Sequence, residues 1–507
     1  FNMSLTLVTL FCVIFISANE AARILAVFPV PSISHQVVFR PLTHELAKRG
    51  HQLVIITPDP AFAKGKAPEN ITEIDVHDIS YKIWREHFIS KANGNKDDVL
   101  TQIESILDTF NIVVDHQLQD DGQSFDLLLL EACSRGALVF SNIYKVPVIQ
   151  VSSLGAIPGD YEAIGASSHP ILDTGMLKRK NYNHTLWDKM IEVYNFYLIE
   201  KIMERHEDAV HAMLQKHFGN VPPIKDLKDN VHMLFLNVNP VFDGVRAVPP
   251  SVIYMGGLHQ KPEKELPKDL KSYLDSSKNG VIYLSFGTNV NSSLLPPEKI
   301  QIMVNVFSQL PYDVLWKWDK DELPGRTENI RISKWLPQSD LLKHHNVKLF
   351  ITQGGLQSTD EAITAGVPLI GVPMLGDQWY NVEKYVHKKM GLRLDLITLT
   401  EEEFRNAINT VIGDDSYRRN VVRLRGLMSD QPQRPLERAV WWTEHVLRHG
   451  GAPHLRAPAA NITWPEYLEL QLVLVLLGVL LTVIGISILA LYTIYSYCCR
   501  VCKLKRD

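Results

Sequence analysis

Residues 335–378 read WLPQSDLLKHHNVKLFITQGGLQSTDEAITAGVPLIGVPMLGDQ, and their chemistry-bearing side chains stand in the order of the parts of a nucleoside diphosphate sugar. Trp335 offers a planar ring that can stack on a base at little entropic cost, with the amide of Gln338 beside it. An apolar strand over 347–352 delivers Gln353, Gly354 and Gly355, and a helix follows that carries Gln357, Ser358 and Glu361. A helix that starts after a glycine turn presents unpaired N–H groups and its positive dipole end to a diphosphate. A carboxylate early in that helix, Glu361, can grip vicinal ribose hydroxyls. Asp377 and Gln378 close the series. Sugar transfer from a nucleotide donor is the leading expectation.

Other residues are read with their alternatives. His35 follows the first strand directly, in VPSISHQ, at the carboxyl edge of a parallel sheet where open α/β folds place ligands. A neutral imidazole there takes a proton near pH 7 if its other nitrogen is oriented; the alternative is a cap on the next helix. Ser285-Phe286-Gly287-Thr288 ends another strand, where glycine lets the backbone approach a phosphate and hydroxyls can bond its oxygens. Asp319-Lys320-Asp321 has a metal-binding spacing but lies in a polar turn before Pro324-Gly325, and reads as a solvated loop. His344 and His345 are adjacent, and neighbours on a helix point apart. Asp377 can also cap the segment starting at Gln378.

The 335–378 segment resembles the signature of the UDP-glycosyltransferase superfamily, inverting enzymes that conjugate small lipophiles. The likeness extends along nearly the whole chain, and PSISHQVVFRPLTHEL and WWTEHVLRHGGAPHLR resemble the insect branch, whose members typically use UDP-glucose. The resemblance implies that Trp335 and Gln338 hold uracil, Ser358 and the turn with Ser285, Gly287 and Thr288 the phosphates, Glu361 the ribose, and Asp377 with Gln378 the sugar hydroxyls. It makes His35 the base that deprotonates an acceptor hydroxyl. The family usually orients that base with an Asp; here FDLLLLEAC offers Asp126 and Glu131. Glu131 is the choice, because the strand's carboxyl end faces the cleft. A second departure is Gln353, where many members carry His; Gln donates a hydrogen bond without positive charge. The implied reaction needs no cofactor and no metal, since helix dipole and amides serve the leaving UDP. The alternatives are another donor (UDP-glucuronic acid, UDP-galactose or UDP-xylose) and a non-catalytic, membrane-tethered lipophile-binding protein.

Two alternating β/α series must position these residues. Strands are expected over 23–28, 52–57, 127–130 and 146–151, then over 281–286, 312–318, 330–332, 347–352 and 368–372. Helices are expected over 38–49, 297–310, 357–365, 382–390 and 436–449, with mostly helical insertions over 84–116 and 160–218 walling a variable pocket. Continuous apolar strands imply parallel sheets covered by helices on both faces. The expected fold is α/β, two doubly wound Rossmann-like domains; their facing across a cleft (GT-B) comes from the resemblance. The acceptor domain is placed at 23–250, with a second series from Val252, and the donor domain at 251–450, followed by a juxtamembrane segment at 451–469.

With 507 residues the chain suffices for two domains and an anchor. The 52 basic residues against 56 acidic ones argue against a nucleic-acid partner. Of five cysteines only Cys133 lies between leader and span, so no disulfide is expected there. Residues 1–22 read as a signal peptide and 470–495 as a transmembrane helix. The basic tail at 496–507, ending KLKRD, suits a cytosolic side. It fits a dilysine retrieval signal or a plain stop-transfer tail. The expectation is a single-pass type I protein of the endoplasmic reticulum membrane, with lumenal domains and sequons at Asn70, Asn183, Asn291 and Asn461. Expected partners are a UDP-sugar, a small lipophilic acceptor and the membrane, with a homo-oligomer left open.

Overall fold

The computed structural model describes residues 21–87 and 123–504 apart from 167, 179, 289 and 291. Residues 1–20 of the expected signal peptide, most of the 84–116 insertion and the last three residues lie outside them.

Two parallel sheets organise the chain. The first has seven strands: β1 (Arg23–Val27), β2 (Gln52–Thr57), β3 (Ile71–Asp75), β4 (Leu127–Glu131), β5 (Val148–Ser152), β6 (Val231–Leu236) and β7 (Val252–Tyr254), in the order β3-β2-β1-β4-β5-β6-β7. The second has six: β8 (Val281–Ser285), β9 (Asp313–Lys317), β10 (Ile330–Ser333), β11 (Val347–Thr352), β12 (Leu369–Gly371) and β13 (Gly391–Arg393), ordered β10-β9-β8-β11-β12-β13. Every pairing is parallel. Runs such as LLLLE in β4 are buried on both faces, because helices cover the sheet on either side.

The strand order reverses between β1 and β4 and again between β8 and β11. In doubly wound sheets the crevice beyond the carboxyl ends of such a pair is where ligands bind. His35, Glu131, the Ser285–Thr288 turn and the Gln353–Gly355 turn follow or end those four strands.

Several boundaries differ from expectation. The first helix begins at Ile33 rather than 38 and runs to Lys48, placing His35 in its first turn, with Ser32 at the cap position. The helix expected from 382 spans Gln378–His387, because Trp379 and Tyr380 bury on it. No strand is expected where β3, β6, β7 and β13 lie. Val252–Tyr254 completes the first sheet, so the second series starts one strand later, at Val281. β3, with pattern buried–exposed–half–exposed–exposed, is an edge strand lacking the continuous apolar signature.

The final helix of the globular part, Pro435–Arg448, returns to the first domain. Its Val440 and Val446 join the core of Val38, Leu42 and Leu46, and Glu444 takes Arg49 Nη1 at 3.1 Å on both oxygens. Beyond it, Leu470–Cys502 is a 33-residue helix whose most apolar 18 residues have mean hydropathy 3.0 and are not buried, long and apolar enough to cross a membrane.

Candidate functional site

The first half of the site is a short network at the end of β4. Glu131, its last residue, is completely buried, and its Oε1 lies 2.6 Å from Nδ1 of His35. Its other oxygen accepts the Val30 N–H at 3.3 Å. A carboxylate facing Nδ1 favours the tautomer with the proton there, leaving the Nε2 lone pair available. Asp126, at the opposite end of the strand, accepts the Arg23 N–H at 2.7 Å and ties down the start of β1. Cys133 donates to Glu131 at 3.8 Å. Ligating atoms of His35, Glu131 and Cys133 lie within 4.8 Å of one another. Burial and the adjacent carboxylate push the Cys133 thiol well up. His44 is half-buried against Phe62, 5.1 Å between rings, and burial lowers its pKa.

The second half is built around Gln338 and two glycine turns. Gln338 Oε1 accepts from Tyr283 OH at 3.0 Å, while its Nε2 donates to Ser358 Oγ at 2.9 Å and Glu361 Oε2 at 2.7 Å. One amide thus sets both side chains of the helix Leu356–Ala365. Burial raises the Glu361 pKa, and the Gln338 bond offsets this in part. That helix begins at Gly355 with no side chain capping it. Its first N–H groups are therefore open to an anion. Gly354 has φ 94° and a Cβ there would meet Val382 at 2.4 Å; Gly287 has φ 79° and a Cβ there would meet Gln353 Nε2 at 2.4 Å. Both turns need glycine for conformation and for space. Gln353 is buried between them, its Oε1 without a partner. Ser285 Oγ accepts the Gly287 N–H at 3.3 Å, and Thr288 is exposed beside it.

Trp335 is 68% exposed at the rim, with Lys317 Nζ 5.0 Å over its ring. Lys317 also donates to the Gly287 carbonyl at 2.7 Å, linking ring and turn. Asp377 does not cap its helix; its Oδ2 takes the Asn381 amide at 2.7 Å. Burial raises the Asp377 pKa, whereas the Asn381 bond and the charges of His35 and Lys384 act to lower it. The His35 ring therefore lies within electrostatic range of Asp377. Gln378 Oε1 accepts the N–H groups of Met374 and Leu375 at 2.8 and 2.9 Å, holding its loop, and Gln357 donates to the Ser153 carbonyl of the other domain at 3.1 Å. His344 is bound to Asp275 at 3.0 Å, and its ring stacks on His345, which lies in a turn rather than a helix. Asp319 accepts from the Ser293 N–H at 2.9 Å, a loop-fastening role.

Lys317, Asn381, Lys384 and Asp243 were not among the sequence candidates. Asn381 had a signal, four residues after Asp377 on one helix face; the others carry none, because their partners are remote in sequence.

A small cavity between the domains is lined by Asp377, Asn381 and Leu356 from one side and Gly155, Val238 and Asp243 from the other. It shares Ala156, Tyr161, Thr174, Gly175, Met176 and Arg246 with a cavity of about 720 Å³ in the first domain. That larger space reaches Phe196 and Met203 and, from the segment before the apolar helix, Ile462 and Trp464.

His259 is buried near the donor helix, and desolvation lowers its pKa to about 4. A histidine takes up a proton near pH 6.5 when unfolded, so between pH 6.5 and 4 the unfolded chain binds more protons. This group's contribution to stability is full above pH 6.5 and falls as pH drops through that window. His259→Gln is expected to flatten the loss of Tm between pH 6.5 and 4; an unchanged slope would remove His259 as its source.

Two doubly wound parallel-sheet domains, with the Gln353–Gly355 turn at the switch point of the second, make the architecture of GT-B glycosyltransferases. Comparison with known proteins supplies the family. The profile of UDP-glucoronosyl and UDP-glucosyl transferases matches residues 23–506, and the chain belongs to that family. An ecdysteroid UDP-glucosyltransferase of Spodoptera littoralis nuclear polyhedrosis virus is 36% identical over 489 residues, covering 90% of this chain and 94% of that protein. UDP-glycosyltransferase UGT5 of Dactylopius coccus is 31% identical over 502 residues, covering 96% and 94%. The crystal structure of a UDP-glucose: anthocyanidin 3-O-glucosyltransferase in complex with UDP shares the fold, with TM-score 0.57 at 16% identity over 85% of this chain and all of that one.

Proposed function

We propose that the chain transfers glucose from UDP-glucose, with inversion, to a hydroxyl of a small lipophilic acceptor. The observation that carries this reading is the 2.6 Å contact of His35 with buried Glu131. The acceptor hydroxyl gives its proton to His35 Nε2 as its oxygen attacks the anomeric carbon. The bond to UDP breaks on the opposite face, and its electron pair leaves on the β-phosphate oxygen. Glu131 steadies the imidazolium that forms. The open N–H groups of the helix Leu356–Ala365 face the growing diphosphate charge. Trp335 and Gln338 hold uracil, Glu361 the ribose, Ser285, Gly287, Thr288, Gln353 and Ser358 the phosphates, and Asp377 with Gln378 the hexose. Most of the rate gain comes from positioning and preorganised electrostatics.

The 720 Å³ cavity is the acceptor site in this reading, large enough for a steroid-sized molecule. The named relatives support glucose as donor, and the viral proteins' names place steroids in the acceptor panel. A lumenal, endoplasmic-reticulum-anchored enzyme that conjugates lipophiles accords with the apolar helix at Leu470–Cys502. Asn183 is exposed for glycosylation, whereas the Asn70 amide already donates to the Ala47 and His51 carbonyls at 2.7 and 2.9 Å.

The test is UDP release from UDP-glucose by membranes carrying the full chain, with phenols, flavonoids and steroids as acceptors. Acceptor-dependent release with UDP-glucose, exceeding that with UDP-glucuronic acid, UDP-galactose and UDP-xylose, is expected. Silence with every donor while UDP still binds would make the chain a binding protein. A smaller effect concerns Trp335→Ala: losing one base–aromatic stack of about 1–3 kcal/mol should weaken UDP roughly 5- to 150-fold. Titration calorimetry with UDP reads this directly, and an unchanged affinity would exclude the stack.

A further inference from the structure

The helix Gln378–His387 starts with the proposed sugar ligands, and one complete stripe of it is given over to the other domain. Tyr380 OH donates toward Thr174 Oγ1 and the Asp243 carbonyl at 2.8 and 2.7 Å. Glu383 accepts from the Asn181 N–H and side-chain amide at 3.0 and 2.9 Å. Lys384 Nζ reaches Asp243 Oδ1 at 2.7 Å, the His387 ring stacks on Tyr182 at 3.7 Å, and Lys388 Nζ donates to the Val241 carbonyl at 2.9 Å. Positions 380, 383, 384, 387 and 388 are the repeat of one helical face. Asp377 and Asn381 begin the neighbouring face, joined to each other at 2.7 Å.

At the centre of the stripe Lys384 is completely buried, 3.3 Å over the Tyr380 ring and 4.6 Å over that of Phe242. Its ammonium lies among three carboxylates, Asp243 in contact and Asp360 and Asp377 farther off, with Lys388 a like charge acting on it. Asp243 and Asp377 line the same small cavity. A buried charge with its partner removed is strongly unfavourable, so the pair is made only when the two domains are seated on each other in this register. The same register closes the small cavity that Asp243 and Asp377 line from opposite domains.

We propose that Lys384 and Asp243 are positioning residues for the transfer. Their ion pair, one partner from each domain, holds the helix so that the hexose on Asp377 and Gln378 is presented to the acceptor oxygen activated by His35. This rests on the reading of Asp377 as a ligand of the donor sugar. Uracil, ribose and diphosphate are held by other elements, so the pair acts on the sugar end of the donor alone.

The experiment uses the full chain in membranes, with UDP-glucose kinetics and UDP binding measured separately. Lys384→Met is expected to raise KM for UDP-glucose and lower kcat, together by at least about tenfold in kcat/KM, with UDP affinity within about twofold of the parent. Asp243→Asn, nearly isosteric and on the other domain, should show the same split, and it decides the matter if the methionine variant fails to accumulate. The double variant should be no worse than the poorer single one, and Lys384→Arg should recover part of the loss. Wild-type kinetics in Asp243→Asn, or a fall in UDP affinity matching the fall in kcat/KM, would overturn the proposal. Asp377→Asn separates the two layers: if it raises the UDP-glucose KM while the pair variants are silent, only the positioning role falls. If Asp377→Asn is silent too, the donor-sugar reading itself falls.

Discussion

Replacing His35 with alanine should lower acceptor-dependent UDP release by about 10²–10⁴-fold, the range for loss of a general base. The ring sits in the first turn of its helix with Nδ1 held by Glu131, so Nε2 is the nitrogen left for an acceptor proton. Alanine leaves the donor half untouched. KM for UDP-glucose and the affinity for UDP should therefore stay near their parent values while kcat collapses. The decisive comparison is UDP binding by calorimetry beside single-turnover glucosyl transfer. Loss of both would mean that His35 supports the fold; loss of neither would remove it from the chemistry.

Glu131→Gln should cost roughly 10²–10³-fold in kcat, by a route the geometry makes specific. The side chain is fully buried and its two oxygens have different duties, one on His35 Nδ1 and one accepting the Val30 N–H. In the glutamine variant only the carbonyl oxygen can accept from Val30, so the NH₂ group turns to His35. Nδ1 must then act as acceptor, the ring proton moves to Nε2, and the base is blocked by its own tautomer. Glu131→Asp keeps the charge on a shorter arm and should fall between parent and glutamine. A pH–rate profile distinguishes tautomer from packing: the glutamine variant should stay slow where the parent is fully active, with UDP affinity unchanged. Full activity in Glu131→Gln would show that the carboxylate merely fills space.

How much of this was legible in the chain depends on the range of each interaction. The apolar runs at β1, β4, β8 and β11 announce two parallel sheets, since only strands covered on both faces dispense with polar alternation. The Gly354–Gly355 turn, the uncapped helix behind it, and Ser358, Glu361 and Asp377 follow within some two dozen positions, so local order carries their reading. β3 and β7 escaped notice because one is a half-exposed edge and the other has three residues. The family resemblance offered Asp126 and Glu131, strand direction chose between them, and the two carboxylates do sit at opposite ends of β4, one on His35 and one on the Arg23 N–H.

What local order could not express is anything made by two distant segments. Gln338 binding both Ser358 and Glu361, Lys317 bridging the Gly287 turn and the Trp335 ring, and Gln357 reaching Ser153 are all contacts across sequence. The return of Pro435–Arg448 onto the first domain is of the same kind. So is the latch of Lys384 on Asp243, 141 positions apart. Residue types and spacing determine which side chains a strand end or helix start can present, because backbone geometry repeats every few residues. Which of them meet, and in what register Lys384 finds Asp243, is decided only when two sheets pack, since burial and ion pairing act through space and leave no periodic mark on the chain.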